Sequence, residues 1–335
     1  LIMKLTIPSN AEKILQVLNE NGYEAYVVGG CVRDSILDRN PNDWDITTSA
    51  SPYQVKELFP RTIDTGLQHG TVTVMMDKEG YEITTYRVDG DYEDGRHPKE
   101  VTFTSSLEED LKRRDFTINA MAYHPKEGLV DLFHGMDDME NKIIRCVGDP
   151  MERFHEDALR IMRAVRFSAQ LGFEIEEQTK AGISRLTSNL KNVSAERIQA
   201  ELVKLLVSPH PDYLRAAYET GITKEFLPEF DLCMETEQNT PYHCFTVGEH
   251  ILHSLLYVEA DKVLRLTMLL HDIAKPVMKT TDENGRDHFK RHAAVGEEMS
   301  KKILRRLKFD NDTIEKVSRL IRYHDDRPEG QMRAV

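Results

Sequence analysis

No run of apolar residues in this sequence approaches the roughly 20 needed to cross a bilayer, and "LRLTMLL" ahead of His271 reads as a core-helix segment, so no membrane role is expected. No secretory leader is legible either, because Lys4 is followed by "LTIPSNAEKI", which lacks an apolar h-region. Cysteine is sparse: Cys31, Cys146, Cys233 and Cys244 form neither paired CxxC zinc spacing nor a disulfide framework, which points to a reducing, cytoplasmic setting. Net positive charge is also lacking. A formal charge of −13 excludes a general nucleic-acid coat, although it leaves room for a local basic groove. Internal repeats and low-complexity tracts are absent.

What is present is an ordinary globular composition, 40% apolar and 30% charged over 335 residues, enough for about two or three domains with separate cores. Ala11, Ile14, Leu15 and Leu18 recur at helical spacing within residues 10–20. Ala25 to Val28 reads as a buried strand ending at Gly29-Gly30, with a helix over Val32 to Leu37 and a short strand over Ile46 to Thr48. "GTVTVMM" and "YEITTYR" alternate at period two on either side of "DKEG", the signature of a hairpin. "DGDYEDGRHPKE" reads as a loop, and from Leu107 onward the pattern is mostly helical, with "HPKEGLVDLFHG" as an extended interruption. Arg113, Arg114, Arg153, Arg160, Arg163 and Arg166 cluster, while acids crowd elsewhere, as in "EIEEQ" and "LEED".

Chemistry concentrates first in residues 26–45. Residues two apart on a strand share a face, so Asp43 and Asp45 of "DWDITTS" can both reach one metal cluster, as two-metal phosphoryl transfer requires. A solvated turn would account for that pair equally simply. Gly29-Gly30 between strand and helix lets backbone N–H groups approach a phosphate at the helix N-terminus, where Arg33 can pair with its charge. Glu82, on the second hairpin strand, is a third candidate acid or a plain surface glutamate.

Taken in order, "GG-x-x-RD", "D-x-D", "GTVTV", "RRDFTINAMA", "DLFHG", "EDALRIMRAVRF" and "SAERIQAEL", from residue 26 to about 206, resemble the class II tRNA nucleotidyltransferases, the CCA-adding enzymes of the polymerase-beta-like superfamily. The resemblance implies an α+β head with a small mixed sheet over residues 1–150, an all-α neck over 151–240 that templates the nucleotide and binds RNA, and an HD-type helical domain over 241–335. It implies Mg²⁺ at Asp43 and Asp45, CTP and ATP as substrates, and the tRNA 3′ end as partner. By the same match Arg113, Asp115 and Asn119 hold triphosphate and ribose, and Arg163 reaches phosphate. Asp131 and Gly135 match a DxxxG element that permits head movement. Family members also continue past "RPEGQMRAV" into a tail that grips the tRNA elbow. Family members that stop after CC lack a loop like that at residues 87–98, so its presence favours complete CCA addition; polyadenylation by the same head is the alternative.

Asp157 and Arg160 carry an argument from hydrogen bonding alone. Set i, i+3 on a helix, a carboxylate that only accepts and a guanidinium that only donates suit the amine-beside-acceptor edge of cytosine and adenine and reject uracil and guanine. An intrahelical salt bridge, worth about 0.3–0.5 kcal/mol, is the plainer reading. A second cluster, "GEHILHSL", "LLHDIAKP", "FKRHAAVG" and "IRYHDD", resembles the HD phosphohydrolases. It nominates His250, His271, Asp272 and Asp325 as ligands for a transition metal or Mg²⁺, with His292 and His324 for a second ion. An HD phosphohydrolase whose head only binds nucleotide or RNA is the other activity this pattern allows.

Overall fold

In the computed structural model, residues 3–89, 101–238 and 245–324 are described. The expected ligand Asp325 and most of the 87–98 loop lie outside them. The chain divides into two compact units, Leu1–Asp157 and Ala158–Val335.

The first unit is built on a seven-stranded mixed sheet in the order β3-β4-β5-β2-β1-β8-β9. Helix α1 (Ser9–Glu20) buries the four apolar positions that its spacing marks, Ala11, Ile14, Leu15 and Leu18. Strand β1 (Ala25–Val28) is buried at every residue, as its unbroken apolar run requires of a strand covered on both faces. It leads through Gly29, whose φ of +83° favours glycine, into the short helix α2 (Gly30–Ile36). Strand β2 (Asp45–Thr48) begins at the second aspartate of the DxD pair, so Asp43 precedes the strand instead of lying on it. After α3 (Pro52–Leu58) and β3 (Thr62–Gly66), β4 (Thr71–Met76) and β5 (Glu79–Thr85) form the expected hairpin. Its turn is tighter than "DKEG" suggests: Met76 pairs with Glu79, leaving Asp77 and Lys78, both at positive φ as a two-residue type I′ turn demands.

The ends of the expected loop are themselves paired. Strands β6 (Arg87–Asp89) and β7 (Val101–Phe103) join as an antiparallel ribbon, with Arg87 opposite Phe103. Helix α4 (Leu107–Lys112) starts at Ser106, whose hydroxyl accepts from the Glu109 N–H. Strands β8 (Ala122–His124) and β9 (Gly128–Val130) form the extended interruption, followed by α5 (Gly135–Glu140) and α6 (Pro150–Glu156). Tyr26, Val28, Tyr86, Leu111 and Ala122 form a core cluster that packs the sheet against α4.

In the second unit, α7 (Leu159–Leu171) ends at Gly172 in the left-handed conformation, a common helix stop. It is braced to α9 (Ala195–Leu206) by a buried bidentate ion pair, Arg166 Nε to Glu201 Oε2 at 2.6 Å and Nη2 to Oε1 at 3.2 Å. Between them runs α8 (Glu177–Leu186), and α10 (Leu214–Glu219), α11 (Ile222–Phe226) and α12 (Pro228–Glu235) follow. Then come α13 (Val247–Leu255), α14 (Lys262–Leu270), α15 (Lys275–Met278), α16 (His292–Arg306) and α17 (Asn311–Arg322). Arg265 of α14 donates to the carbonyls of Leu206, Ser208, Val258 and Glu259, so a buried cation closes orphan carbonyls at two helix ends. The purely helical expectation fails locally: Thr280–Thr281 pairs with Asp287–His288 around Gly285, where φ is +76°. Cys31, Cys146 and Cys233 are buried free thiols.

Candidate functional site

The sheet register assembles the acids of the first unit. Asp45 at the start of β2 pairs with Glu82 of the parallel β5 on one side and with Val28 of β1 on the other, just before Gly29. Asp43, Asp45 and Glu82 are all exposed at this edge. Asp45 nonetheless sits low among its neighbours. That crowding, followed by the Glu82 carboxylate, pushes its pKa up to about 6, with Arg114 opposing the rise and Asp43 adding to it. Crowded carboxylates of this kind are short of positive charge, and hard oxygen donors with open positions suit a magnesium ion shared with nucleotide phosphates. Among the described residues, the groups of three or more ligand-type side chains with donor atoms within 4.8 Å of one another all lie in the second unit.

The residues expected at the phosphates form a connected network. Arg33 donates through Nη1 to Asn119 Oδ1 and through Nε to Asp34 at 3.0 Å. Asn119 donates in turn to Asp115 Oδ1 at 3.2 Å, which also accepts the Phe116 N–H. Gly29 donates its own N–H to the Met121 carbonyl, and, as at any helix start, the first-turn N–H groups of Gly30 and Cys31 have no intrahelical acceptor. Both glycines lie under guanidinium groups: a Cβ on Gly30 would stand 3.4 Å from Arg33 Nη2, and one on Gly29 would stand 3.6 Å from Arg114 Nη1.

Arg114 is the functional candidate that motif reading missed. Both arginines reach Asp110 at 3.3 Å; Arg113, the one expected at the triphosphate, also stands 4.0 Å from Asp89, while Arg114 also lies by Gly29 and is electrostatically coupled to Asp45. The signal was present as the doubled "RR". Helix α4 ends at Lys112, and beyond it the direction of each side chain depends on a turn that periodicity does not describe.

The DxxxG element is a helix start. Asp131 accepts the N–H groups of Gly135 at 2.7 Å and Met136 at 2.9 Å, opening α5. Gly135 packs so tightly that a Cβ would fall 2.5 Å from the Thr117 carbonyl. Asp157 does not lie on a helix with Arg160, because α6 ends at Glu156 and Asp157 is extended, with φ −147° and ψ 103°, before α7 begins at Leu159. Asp157, the last residue of the first unit, and Arg160, in the second, are each buried. Arg163 is partly buried, its guanidinium 5.0 Å from the Phe167 ring centroid. The arginine cluster is also less free than its count suggests: Arg153 pairs with Glu156 and Arg166 with Glu201.

The second unit gathers His250, His271, Asp272, His292 and His324 around one carboxylate. Asp272 Oδ2 lies 3.1 Å from His271 Nε2 and 3.5 Å from His250 Nε2, while Oδ1 lies 3.6 Å from His292 Nε2 and 3.7 Å from His324 Nε2. His271, His292 and His324 each direct Nδ1 at a backbone carbonyl, of Met268, Phe289 and Ile321 respectively. With that proton placed, each neutral ring turns an Nε2 lone pair inward. His271 Nε2 is buried without a hydrogen-bond partner among the described residues, and two imidazole nitrogens face each other at 3.3 Å. Lone pairs confronting a carboxylate need a cation between them, and second-shell carbonyls of this kind are how metal-binding imidazoles are oriented. Lys275 Nζ lies 3.3 Å from the same Asp272 Oδ2.

The class that this architecture defines is reflected in family comparisons. Residues 25–145 match the poly A polymerase head domain, 172–234 the family described as a probable RNA and SrmB-binding site of polymerase A, and 241–334 the HD domain. The solved CCA-adding enzyme of Bacillus stearothermophilus in complex with CTP is 31% identical, with a TM-score of 0.70 covering 97% of this chain and 80% of that one. The chain belongs to the CCA-adding enzyme family. CCA-adding enzymes of Lactobacillus helveticus and Enterococcus faecalis are 53% and 52% identical over 220 and 209 residues, 66% and 61% of this chain. Those alignments cover 55% and 52% of the relatives, so the chain spans about half the length of the curated proteins it matches. The Thermotoga maritima CCA-adding enzyme complexed with tRNA shares the fold at 22% identity, with a TM-score of 0.62 over 96% of this chain and 72% of that one. No helix among the described residues is long and apolar enough to cross a membrane.

Proposed function

We propose that this protein adds C, C and A to tRNA 3′ ends from CTP and ATP, in the cytoplasm, with release of pyrophosphate. The observation that carries the reading is the register that sets Glu82 beside Asp45, next to the Gly29-Gly30 turn, in a chain 31% identical to a CCA-adding enzyme solved with CTP. Asp43 and Asp45 are the residues that would hold Mg²⁺, which when bound supplies activation of the 3′-hydroxyl and neutralises the leaving pyrophosphate. Glu82 raises the negative potential at that edge. Arg33, fixed through Asn119 and Asp115, and the first-turn N–H groups after Gly29 orient the triphosphate, with Arg113 and Arg163 adding positive charge. Base choice rests on Asp157 accepting from the exocyclic amine of C or A and Arg160 donating to the adjacent ring nitrogen. Substitution separates these roles. Asp45→Ala is expected to abolish incorporation of both nucleotides, whereas Arg160→Ala relaxes which base enters; equal loss for all four nucleotides in the second variant would contradict the templating role.

A second reading applies to the His250, His271, Asp272, His292 and His324 cluster, a site for one or two divalent ions with the capacity for phosphohydrolysis. The buried lone pair on His271 Nε2 favours it. Hydrolysis of cyclic nucleotides to nucleoside monophosphates that survives Asp45→Ala and is lost in Asp272→Ala would establish it as a separate activity.

A further inference from the structure

Asp110 is a fully buried carboxylate that none of the roles above uses. Its Oδ2 accepts from Thr47 Oγ1 at 2.9 Å and from Arg114 Nη2 at 3.3 Å. Its Oδ1 accepts from the Arg87 N–H at 3.1 Å and from Arg113 Nη2 at 3.3 Å. Four donors occupy the four lone-pair sites that a carboxylate offers. Every one of them belongs to a segment bordering the nucleotide edge: Thr47 is two residues beyond Asp45 on β2, Arg87 follows β5, which carries Glu82, and the arginines are the doubled pair.

The outward end of Arg114 gives the arrangement its direction. Nη2 is spent on Asp110, Nη1 lies by Gly29, and Nε is buried without a hydrogen-bond partner among the described residues. Nη1 is therefore the end that faces the edge beside Gly29, where a triphosphate would be an acceptor for it. A point charge would not serve two ends at once, whereas the rigid guanidinium fork does.

We propose that Asp110 is the positioning residue of the nucleotide site, holding Arg113 and Arg114 against β2 so that Arg114 is aimed at the β- and γ-phosphates of the incoming nucleotide. This rests on the nucleotidyl-transfer reading of the same edge. The test is calorimetric binding of CTP and CMP to the full chain, with Ca²⁺ in place of Mg²⁺ to prevent turnover, alongside tRNA extension. Asp110→Asn and Arg114→Lys are each expected to weaken CTP at least tenfold and CMP less than twofold, and the double variant is expected to be little worse than the poorer single one. Equal loss for CTP and CMP, or additive losses, would overturn the proposal, because a general packing defect acts on both ligands. Should Asp110→Asn not fold, Arg114→Lys carries the test alone, and an unchanged CTP to CMP ratio refutes the proposal. An unsubstituted chain that prefers CTP but extends no tRNA would defeat the nucleotidyl-transfer reading while leaving Asp110 to be judged by the affinities. One that binds CTP no better than CMP would defeat the proposal whether or not it extends tRNA.

Discussion

Removing the carboxylate charge of Asp272 is the most informative single perturbation of the second unit. In the wild type, Nε2 atoms of His250 and His271 face Oδ2, and those of His292 and His324 face Oδ1, so one carboxylate serves two candidate ion positions. An ion that binds only the folded state stabilises it by about 2.7 kcal/mol at one hundred times its dissociation constant. For a unit in the size class of Ala158–Val335, each kcal/mol moves the melting temperature by about 2–4 °C, so saturation should raise it by about 5–10 °C. Asp272→Asn keeps the shape, and its amide can donate to an inward lone pair, so the metal-free variant should remain folded while losing most of the ion-dependent shift. Thermal unfolding with added Mn²⁺, Zn²⁺ or Mg²⁺ against chelator, together with elemental analysis for up to two ions per chain, reads both quantities. An equal shift in wild type and Asp272→Asn would refute the assignment, as would no shift with any of the ions.

Three further outcomes follow from the packing and the charges. Gly135→Ala should cost about 3 kcal/mol, the upper end of the range for overpacking, because the new methyl meets the Thr117 carbonyl at 2.5 Å and Met121 Sδ at 2.9 Å; chemical denaturation of the variant checks it. Breaking the buried Arg166–Glu201 pair by Glu201→Gln should destabilise the second unit by about 3–5 kcal/mol, with Arg166→Met/Glu201→Leu losing less because no charge is stranded. The pH dependence of Asp110 has a definite sign. Burial opposes its charge, but Arg113, Arg114, the Arg87 N–H and Thr47 hold its pKa below the ordinary value, so the ionised form adds stability above pH about 4 that fades as pH falls further. The stability gap between wild type and Asp110→Asn should therefore shrink below that pH, and a gap that widens on acidification would show the sign to be wrong.

Local patterns in the sequence predicted local structure well. The four apolar positions of α1, the buried run of β1 and the alternation on either side of Asp77-Lys78 each report the period of a single element, and each element formed. The glycine pair, Asp45, Glu82, Arg33, Asp115 and Asn119 were nominated as separate residues, and it is the sheet register and the Asn119 hydrogen bonds that make them neighbours. The misreadings arose where distant contacts decide. Asp110 belongs to "LEED", an acidic run that looks solvated, yet it is buried because Thr47 and Arg87 approach it from other segments of the unit. Helical spacing suggested a shared face for Asp157 and Arg160, but the chain leaves the helix at Asp157, and no glycine or proline marks the break. The histidines were legible as a set because helical patterns flank each of them. Their inward-facing Nε2 atoms depend on carbonyl partners that no spacing encodes.

Nucleotide addition specified by protein residues is open to a direct test by single-nucleotide extension. Transcripts of tRNA ending before CCA, after C and after CC are each incubated with the protein, Mg²⁺ and one labelled nucleotide at a time. C should be added to the first two and a single A to the third, with UTP and GTP refused throughout. Long A tracts without C would instead mark a poly(A) polymerase, and no extension of any transcript would rule out nucleotide addition by this chain.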